Sequence, residues 1–344
     1  MMRYAKNALL ALSLTAATLA PVAQAADEVN IYSFRQAFLI KPLLNAFTEE
    51  TGIKANVVFS KKGLLERLKH EGKNSPADIL LTSDIGPLYD ASERGLLQSI
   101  SSDTLAANIP AKYRDPENRW YGLTSRSRII YASKERVKAG EISRYEDLAD
   151  PKWKGRICTR SGKHTYNLSL FGSMIAHHGE AEAKQWTLAL KENLARRPQG
   201  NDRAQVKAIN EGVCDLALGN SYYFGKMITN EKKPEQIKWA ESVNLIFPNQ
   251  TDRGAHMNIS GAGVTRYAPH KEAAIKLIEF LSSEKAQRLY AEVNFEFPVR
   301  PNTERSPLIK EHMGEFKEDD ISLKQIASLR SAAAKLADQV QFDN

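Results

Sequence analysis

An α/β fold of two lobes with a ligand cleft between them is the architecture this sequence predicts, and three observations predict it. Strand-like and helix-like segments alternate from residue 28 to residue 94. A second alternation begins near residue 154. Two extended stretches, near 122–130 and 250–264, read as strands that cross from one lobe to the other. The lobes so implied are residues 26–124 plus 255–303 and residues 125–254 plus 304–344.

The chain opens with a basic pair (Arg3, Lys6), an apolar run from Ala8 to Ala20 and a small-residue site, Ala23-Gln24-Ala25. This is the pattern of a signal peptide over residues 1–25, cleaved after Ala25, and it predicts an exported, periplasmic protein. The run is too short and too alanine-rich for a membrane span. Cleavage removes two cations and lowers the formal charge from +7 to +5. Without a Lys/Arg block interleaved with aromatics, that surplus does not point to nucleic acid. It suits a cleft that attracts an anion or an anionic metal complex.

From Glu28 to Ser33 the residues alternate as a strand, Phe38 to Thr51 forms an amphipathic helix closed by Gly52, and Lys54 to Phe59 is a second strand. Lys61 to Glu71 reads as helix, Ala77 to Thr82 as a buried strand and Ile85 to Arg94 as helix. This β-α-β-α-β rhythm means a parallel sheet flanked by helices. Asp103 to Tyr121 reads as turns, Gly122 to Ala132 as a strand carrying Arg126 and Arg128, and Ser143 to Asp150 as a short helix before Pro151. Lys154 to Thr159 begins the second unit, followed by helices at Asn167–His178, Glu180–Ala195 and Gln205–Glu211. Asn244–Pro248 and His256–Val264 are strand-like, Lys271–Ser283 and Glu284–Val293 are helices, and Asp319–Val340 is one long helical pattern.

The stretch around which the rest is arranged is Asp215 to Phe224. Leu216 to Leu218 is a buried strand, Gly219-Asn220-Ser221 turns the chain, and Tyr222-Tyr223 stand before a helix from Phe224 to Thr229. A strand end followed by a helix start is where open α/β sheets bind ligands. The plainer reading is an ordinary surface or core aromatic pair. Two cysteines, Cys158 and Cys214, are either a disulfide, as an even count in an exported chain favours, or two buried thiols.

Several motifs carry a resemblance: Asn30-Ile31-Tyr32-Ser33-Phe34-Arg35-Gln36, Ser75-Pro76-Ala77-Asp78-Ile79-Leu80-Leu81-Thr82, Arg126-Ser127-Arg128, and Cys158-Thr159-Arg160-Ser161 leading to Tyr166-Asn167. Gly200-Asn201-Asp202-Arg203, Asn220-Ser221-Tyr222-Tyr223 and Asn258-Ile259-Ser260-Gly261-Ala262-Gly263 continue it in the same order. Together they resemble the ferric-ion-binding proteins of bacterial ABC importers, within the two-lobed (type II) periplasmic binding proteins.

The resemblance implies that Tyr166, Tyr222 and Tyr223 bind Fe³⁺ through phenolate oxygens. Ferric iron is a hard cation that favours anionic oxygen, and a bound cation stabilises a phenolate that is otherwise protonated below a pKa of about 10. Some members add a histidine and a tyrosine in an Arg-His-Tyr pattern, where this chain has Arg35-Gln36-Ala37. Neither Gln36 nor Ala37 supplies an anionic ligand, so the open positions fall to a synergistic anion such as carbonate or bicarbonate, or to water. Arg35 and Arg126 are the residues expected to hold that anion, because a guanidinium matches it bidentately. For Arg126 a cross-strand ion pair is the competing role, and Arg128 reads as structural.

His177-His178 reads as a helix-end or surface pair and His256 as part of the crossover, while His164, two residues before Tyr166 and able to reach the cleft, ranks below the tyrosines as a site residue. The expected partners are the importer's membrane permease and a small-ligand iron source, with the protein a monomer. The alternative function is a receptor for a small organic or inorganic anion, held by Arg35 and Arg126 with tyrosine hydroxyls donating. An exported hydrolase is disfavoured, since no nucleophile motif, H-E-x-x-H pattern or phosphate-binding glycine loop occurs.

Overall fold

The computed structural model describes residues 28–344, so the expected signal peptide lies outside the described residues. Nine strands occur among them: β1 (Glu28–Ser33), β2 (Lys54–Phe59), β3 (Ile79–Thr82), β4 (Tyr121–Ser133), β5 (Ile157–Cys158), β6 (Leu216–Asn220), β7 (Val243–Ile246), β8 (Met257–Val264) and β9 (Phe297–Pro298). In the first lobe β2, β1 and β3 run parallel, as the β-α-β-α-β rhythm requires, and β8 then pairs antiparallel with β3. The helix between β1 and β2, Ala37–Thr51, buries Ile40, Leu43, Leu44 and Phe47, a spacing that lines one helical face. It stops at Gly52, which takes a left-handed φ of 73° and returns its N–H to Thr48 O.

The two expected crossing strands are β4 and β8. All thirteen residues of β4 are buried. Its first half, from Tyr121 to Ser127, pairs with β8, and its second half, from Arg128 to Ala132, pairs with β6. One continuous strand therefore belongs to both lobes and changes partner between Ser127 and Arg128. Beyond that point its side chains alternate between two cores. Ile130 and Ala132 join Trp153, Phe171 and Leu218, while Ile129 and Tyr131 join Val206, Phe224 and Phe297 on the opposite face.

Several local expectations are corrected. The stretch 103–121 contains a helix, Asp103–Asn108, whose N-cap Ser102 accepts from Leu105 N–H. The strand expected over 154–159 shrinks to Ile157–Cys158, and the helix expected at 143–150 is a single 3₁₀ turn, Glu146–Ala149. Helices Glu235–Glu241 and Pro307–Met313 are additions. The two helices expected on either side of Gly179 are present: within Thr165–Glu192 that glycine takes a non-helical φ of 80° and ψ of 166° and separates them at a kink.

The tail also differs from one long helix. It divides into Leu323–Ser328 and Arg330–Gln339. Leu323 and Ala327 enter the first lobe's core, whereas Ala333, Leu336 and Ala337 enter a core of the second. Two packing partners at different angles break a pattern that is helical throughout, and the tail links the lobes a third time.

Cys158 and Cys214 are joined by a disulfide across a sequence separation of 56. Closing a loop of that length removes about 4 kcal/mol of chain entropy from the unfolded state. The Cys158→Ser/Cys214→Ser variant is therefore expected to be about 4 kcal/mol less stable in urea. Equal unfolding midpoints for variant and parent would show that the bridge contributes nothing.

Candidate metal site

Three tyrosines meet where the lobes face each other. Tyr166 lies in the first turn of helix Thr165–Glu192, and its N–H is accepted by Nδ1 of the capping His164 at 3.2 Å. Tyr222 and Tyr223 form the first turn of helix Tyr222–Ile228, two residues earlier than the turn chemistry implies. The turn before them is held tightly: Ser221 N–H donates to Ser127 O at 2.9 Å, and Tyr131 Oη donates to Asn220 O at 2.8 Å. The hydroxyls of Tyr166 and Tyr222 stand 3.2 Å apart, and the rings of Tyr222 and Tyr223 pack at 4.4 Å. All three line one cleft cavity of about 170 Å³, shared with Arg35, Arg203 and Lys226.

Beneath the tyrosines sits a buried ionic network. Arg128 donates to Asn167 Oδ1 at 2.8 Å, to Asp202 Oδ1 at 2.8 Å and to Asn220 Oδ1 at 3.0 Å. It thus ties the residue after Tyr166 to the strand that delivers Tyr222. Arg160 reaches the other oxygen of Asp202 at 2.9 Å. Burial would push the Asp202 carboxyl up, but Arg128 and then Arg160 outweigh it and hold the group below the usual range. The guanidinium groups of Arg126, Arg128 and Arg160 all lie within 6 Å of the Tyr166 ring centre, so the surroundings suit an anionic ligand set. Burial raises the phenols of Tyr222 and Tyr223 above the ordinary tyrosine value, with Tyr166 the next contributor to each.

The two arginines expected at an anion occupy different places. Arg35 lines the cleft, but its guanidinium is bound to Glu296 at 2.7 Å and to Ser260 Oγ at 2.8 Å. Arg126 donates to Ser83 O and lies 3.8 Å from Asp84. Its Nη1 has no partner, and Arg126 lines a niche of about 10 Å³ with His256 and Tyr166, not the main cavity. The other cations lining the cleft are Arg203 and Lys226, and neither makes an ion pair among the described residues. Gln36 also reaches the cavity wall, and Phe38 stands exposed at its lip. Among the described residues no group of three His, Cys, Asp or Glu side chains could hold a metal.

Residues 74–324 match the family described as bacterial extracellular solute-binding protein. The chain belongs to that family. Iron uptake protein A1 of Synechocystis sp. is 45% identical over 316 residues, covering 91% of this chain and 87% of the relative. Apo ferric ion-binding protein A of Pasteurella haemolytica has a similar structure, with a TM-score of 0.88 at 51% identity over 93% of this chain and 99% of that one. The Trichodesmium protein IdiA (FutA), solved with iron and citrate ligands, gives a TM-score of 0.86 at 43% identity, covering 92% and 99% of the two chains. These relatives share the two-lobed α/β architecture.

The histidines of this solute-binding protein serve the framework. His177 Nε2 meets Asp319 at 2.7 Å and His178 Nε2 meets Glu146 at 2.8 Å, so the pair clasps neighbouring segments instead of capping a helix. His256, in the segment leading into β8, is fully enclosed, and burial pushes its imidazole down to about 3. A histidine depressed below its unfolded value of about 6.5 contributes stability that is complete above that pH and is lost as pH falls toward 3. Between pH 7 and pH 5 His256 alone is expected to remove about 2 kcal/mol of stability. The His256→Gln variant, neutral at both values, should show a flatter stability profile in urea over that range. An unchanged slope would place the acid sensitivity elsewhere.

Sequence reasoning passed over Arg203 and Lys226 as cleft groups. Helical spacing could have found Lys226: three residues after Tyr223 and four after Tyr222, it returns to the same face of the helix.

Proposed function

We propose that this chain captures ferric iron through the phenolate oxygens of Tyr166, Tyr222 and Tyr223 and delivers it to the permease of an ABC importer. The observation that carries the reading is the convergence of three phenols on one cavity, two of them with oxygens 3.2 Å apart. With metal–oxygen bonds of about 2 Å, neighbouring ligands of an octahedron stand about 3 Å from each other. Relatives that cover nine-tenths of the chain carry iron uptake and ferric ion-binding in their names, which supports iron as the cargo.

Three phenolates neutralise the three charges of the metal, and the other positions take water or a small anion such as carbonate or a carboxylate. The cavity has room for such an anion beside the ion. Arg35 and Arg126 remain the proposed anion contacts, joined by Arg203 on the cavity wall. Burial keeps Tyr222 and Tyr223 protonated until the metal arrives, so loading releases protons and affinity falls as pH falls. The protein works as an exported, periplasmic monomer and as a carrier, with no chemistry of its own. A pure anion receptor has less support, because Glu296 already occupies the Arg35 guanidinium.

The test is a visible absorption titration of the purified protein with ferric citrate, with and without bicarbonate. A broad phenolate-to-iron charge-transfer band that saturates at one iron per chain is expected. A protein that stays colourless under both conditions sinks the tyrosinate site.

A further inference from the structure

Lys226 lies one turn beyond the two adjacent tyrosines, and its ammonium does not end in solvent. It donates to Val293 O at 2.5 Å and to Asn294 Oδ1 at 3.3 Å. Both acceptors belong to the last turn of helix Glu284–Asn294, whose Ala286 and Tyr290 are part of the first lobe's core. Helix Tyr222–Ile228 belongs to the second lobe, since Phe224 and Met227 pack in its core. The contact therefore joins the lobes at the wall of the cleft. Its chemistry is favourable, because the last carbonyls of a helix lack intrahelical donors and carry the negative end of the dipole.

Asn294 carries the connection onward. It is 1% exposed, and its Nδ2 donates to Leu39 O at 3.0 Å, in the first turn of helix Ala37–Thr51. That turn follows directly on Arg35-Gln36 and bears Phe38 at the cleft lip. A chain of hydrogen bonds thus runs from the tyrosine helix through Lys226 and Asn294 to the opposite lip. The approach is close enough to need a glycine: a Cβ at Gly225 would stand 2.3 Å from Cγ of Phe295. A side chain at this position would have to displace either the Phe295 ring or the helix itself.

We propose that Lys226 is a positioning residue, a latch that holds the helix carrying Tyr222 and Tyr223 against the first lobe and so slows the escape of bound metal. The slowing of release rests on the tyrosine reading above; the latch itself does not.

The experiment compares the full mature chain with its Lys226→Met variant, which removes both bonds to the first lobe, and its Asn294→Leu variant, which removes the link through Asn294 and leaves the bond to Val293 O. In the first arm, small-angle scattering is recorded without metal. Both variants are expected to show a larger radius of gyration than the parent, with thermal unfolding still cooperative. Curves that superimpose on the parent's overturn the latch, whatever the protein binds. In the second arm, ferric-loaded protein is mixed with excess EDTA and the decay of its visible band is followed. Loss of a hydrogen bond to a charged group is expected to speed release about tenfold in each variant, with little further gain in the double variant. Parent-like release rates overturn the positioning role even where scattering has moved. Should Lys226→Met fail to fold, Lys226→Gln, which removes the charged donor and keeps most of the stem, decides both arms. A parent that shows no visible band refutes the tyrosine reading and leaves the scattering arm to judge the latch alone.

Discussion

Tyr223→Phe, Tyr222→Phe and Tyr166→Phe are each expected to weaken ferric binding by more than about 100-fold and to bleach the charge-transfer band in whole or large part, since removing even an outer-shell partner of a ligand costs 10–100-fold. The substitution deletes one oxygen and leaves the ring, so packing survives. Tyr223 keeps its ring contact with Tyr222, and the only hydroxyl pairing lost at Tyr166 or Tyr222 is their mutual one at 3.2 Å. Stability should therefore shift by no more than about 1 kcal/mol. Absorption titration beside urea unfolding separates the two quantities. Three variants that all kept the parent's band and affinity would exclude phenolate ligation, while a parallel loss of stability would point to a structural role.

Asp202→Ala should have the largest effect on stability. The carboxylate is fully buried and neutralises two guanidinium groups at once, Arg128 at 2.8 Å and Arg160 at 2.9 Å. Removing it leaves uncompensated charge beneath Tyr166, and breaking a buried pair in this way costs about 3–5 kcal/mol. Because Arg128 also holds Asn167 and Asn220, the variant is expected to bind iron more weakly even where it remains folded. The pH dependence has a definite sign. Asp202 is held below its unfolded value, so its contribution is complete above about pH 4 and is lost as pH falls below it. Urea unfolding of parent and variant at pH 7 tests the magnitude, and a difference under 1 kcal/mol would remove Asp202 from the framework of the site.

Much of the first lobe was legible because its signals are local. The period of Ile40, Leu43, Leu44 and Phe47, the stop at Gly52 and the apolar run of β3 each declare themselves within a few residues. The crossing strands were legible for the same reason, and all thirteen positions of β4 are indeed buried. The tail was not. Nothing between Asp319 and Val340 marks Leu329 as a break, because the break arises from two bodies that only the folded chain brings alongside.

Arg126 and Arg128 show the limit most directly. Two residues apart on one strand, they share a face, and strand periodicity cannot tell them apart. One ends in a buried network with Asn167, Asp202 and Asn220, the other at Ser83 beside a small niche. Likewise Arg35 reads as a free cation in sequence, yet its carboxylate lies 261 residues away at Glu296.

The sequence by itself determined most of the first lobe's elements and the two-strand crossing, since each follows from hydrophobic period and turn chemistry over short spans. It also carried, through resemblance, the three tyrosines. Only the tertiary structure decided which cations open onto the cleft, which are already paired, and how Lys226 reaches the other lobe. Those outcomes depend on distances between residues far apart in the chain, and ion pairs and hydrogen bonds form by proximity in space, for which no local pattern is required.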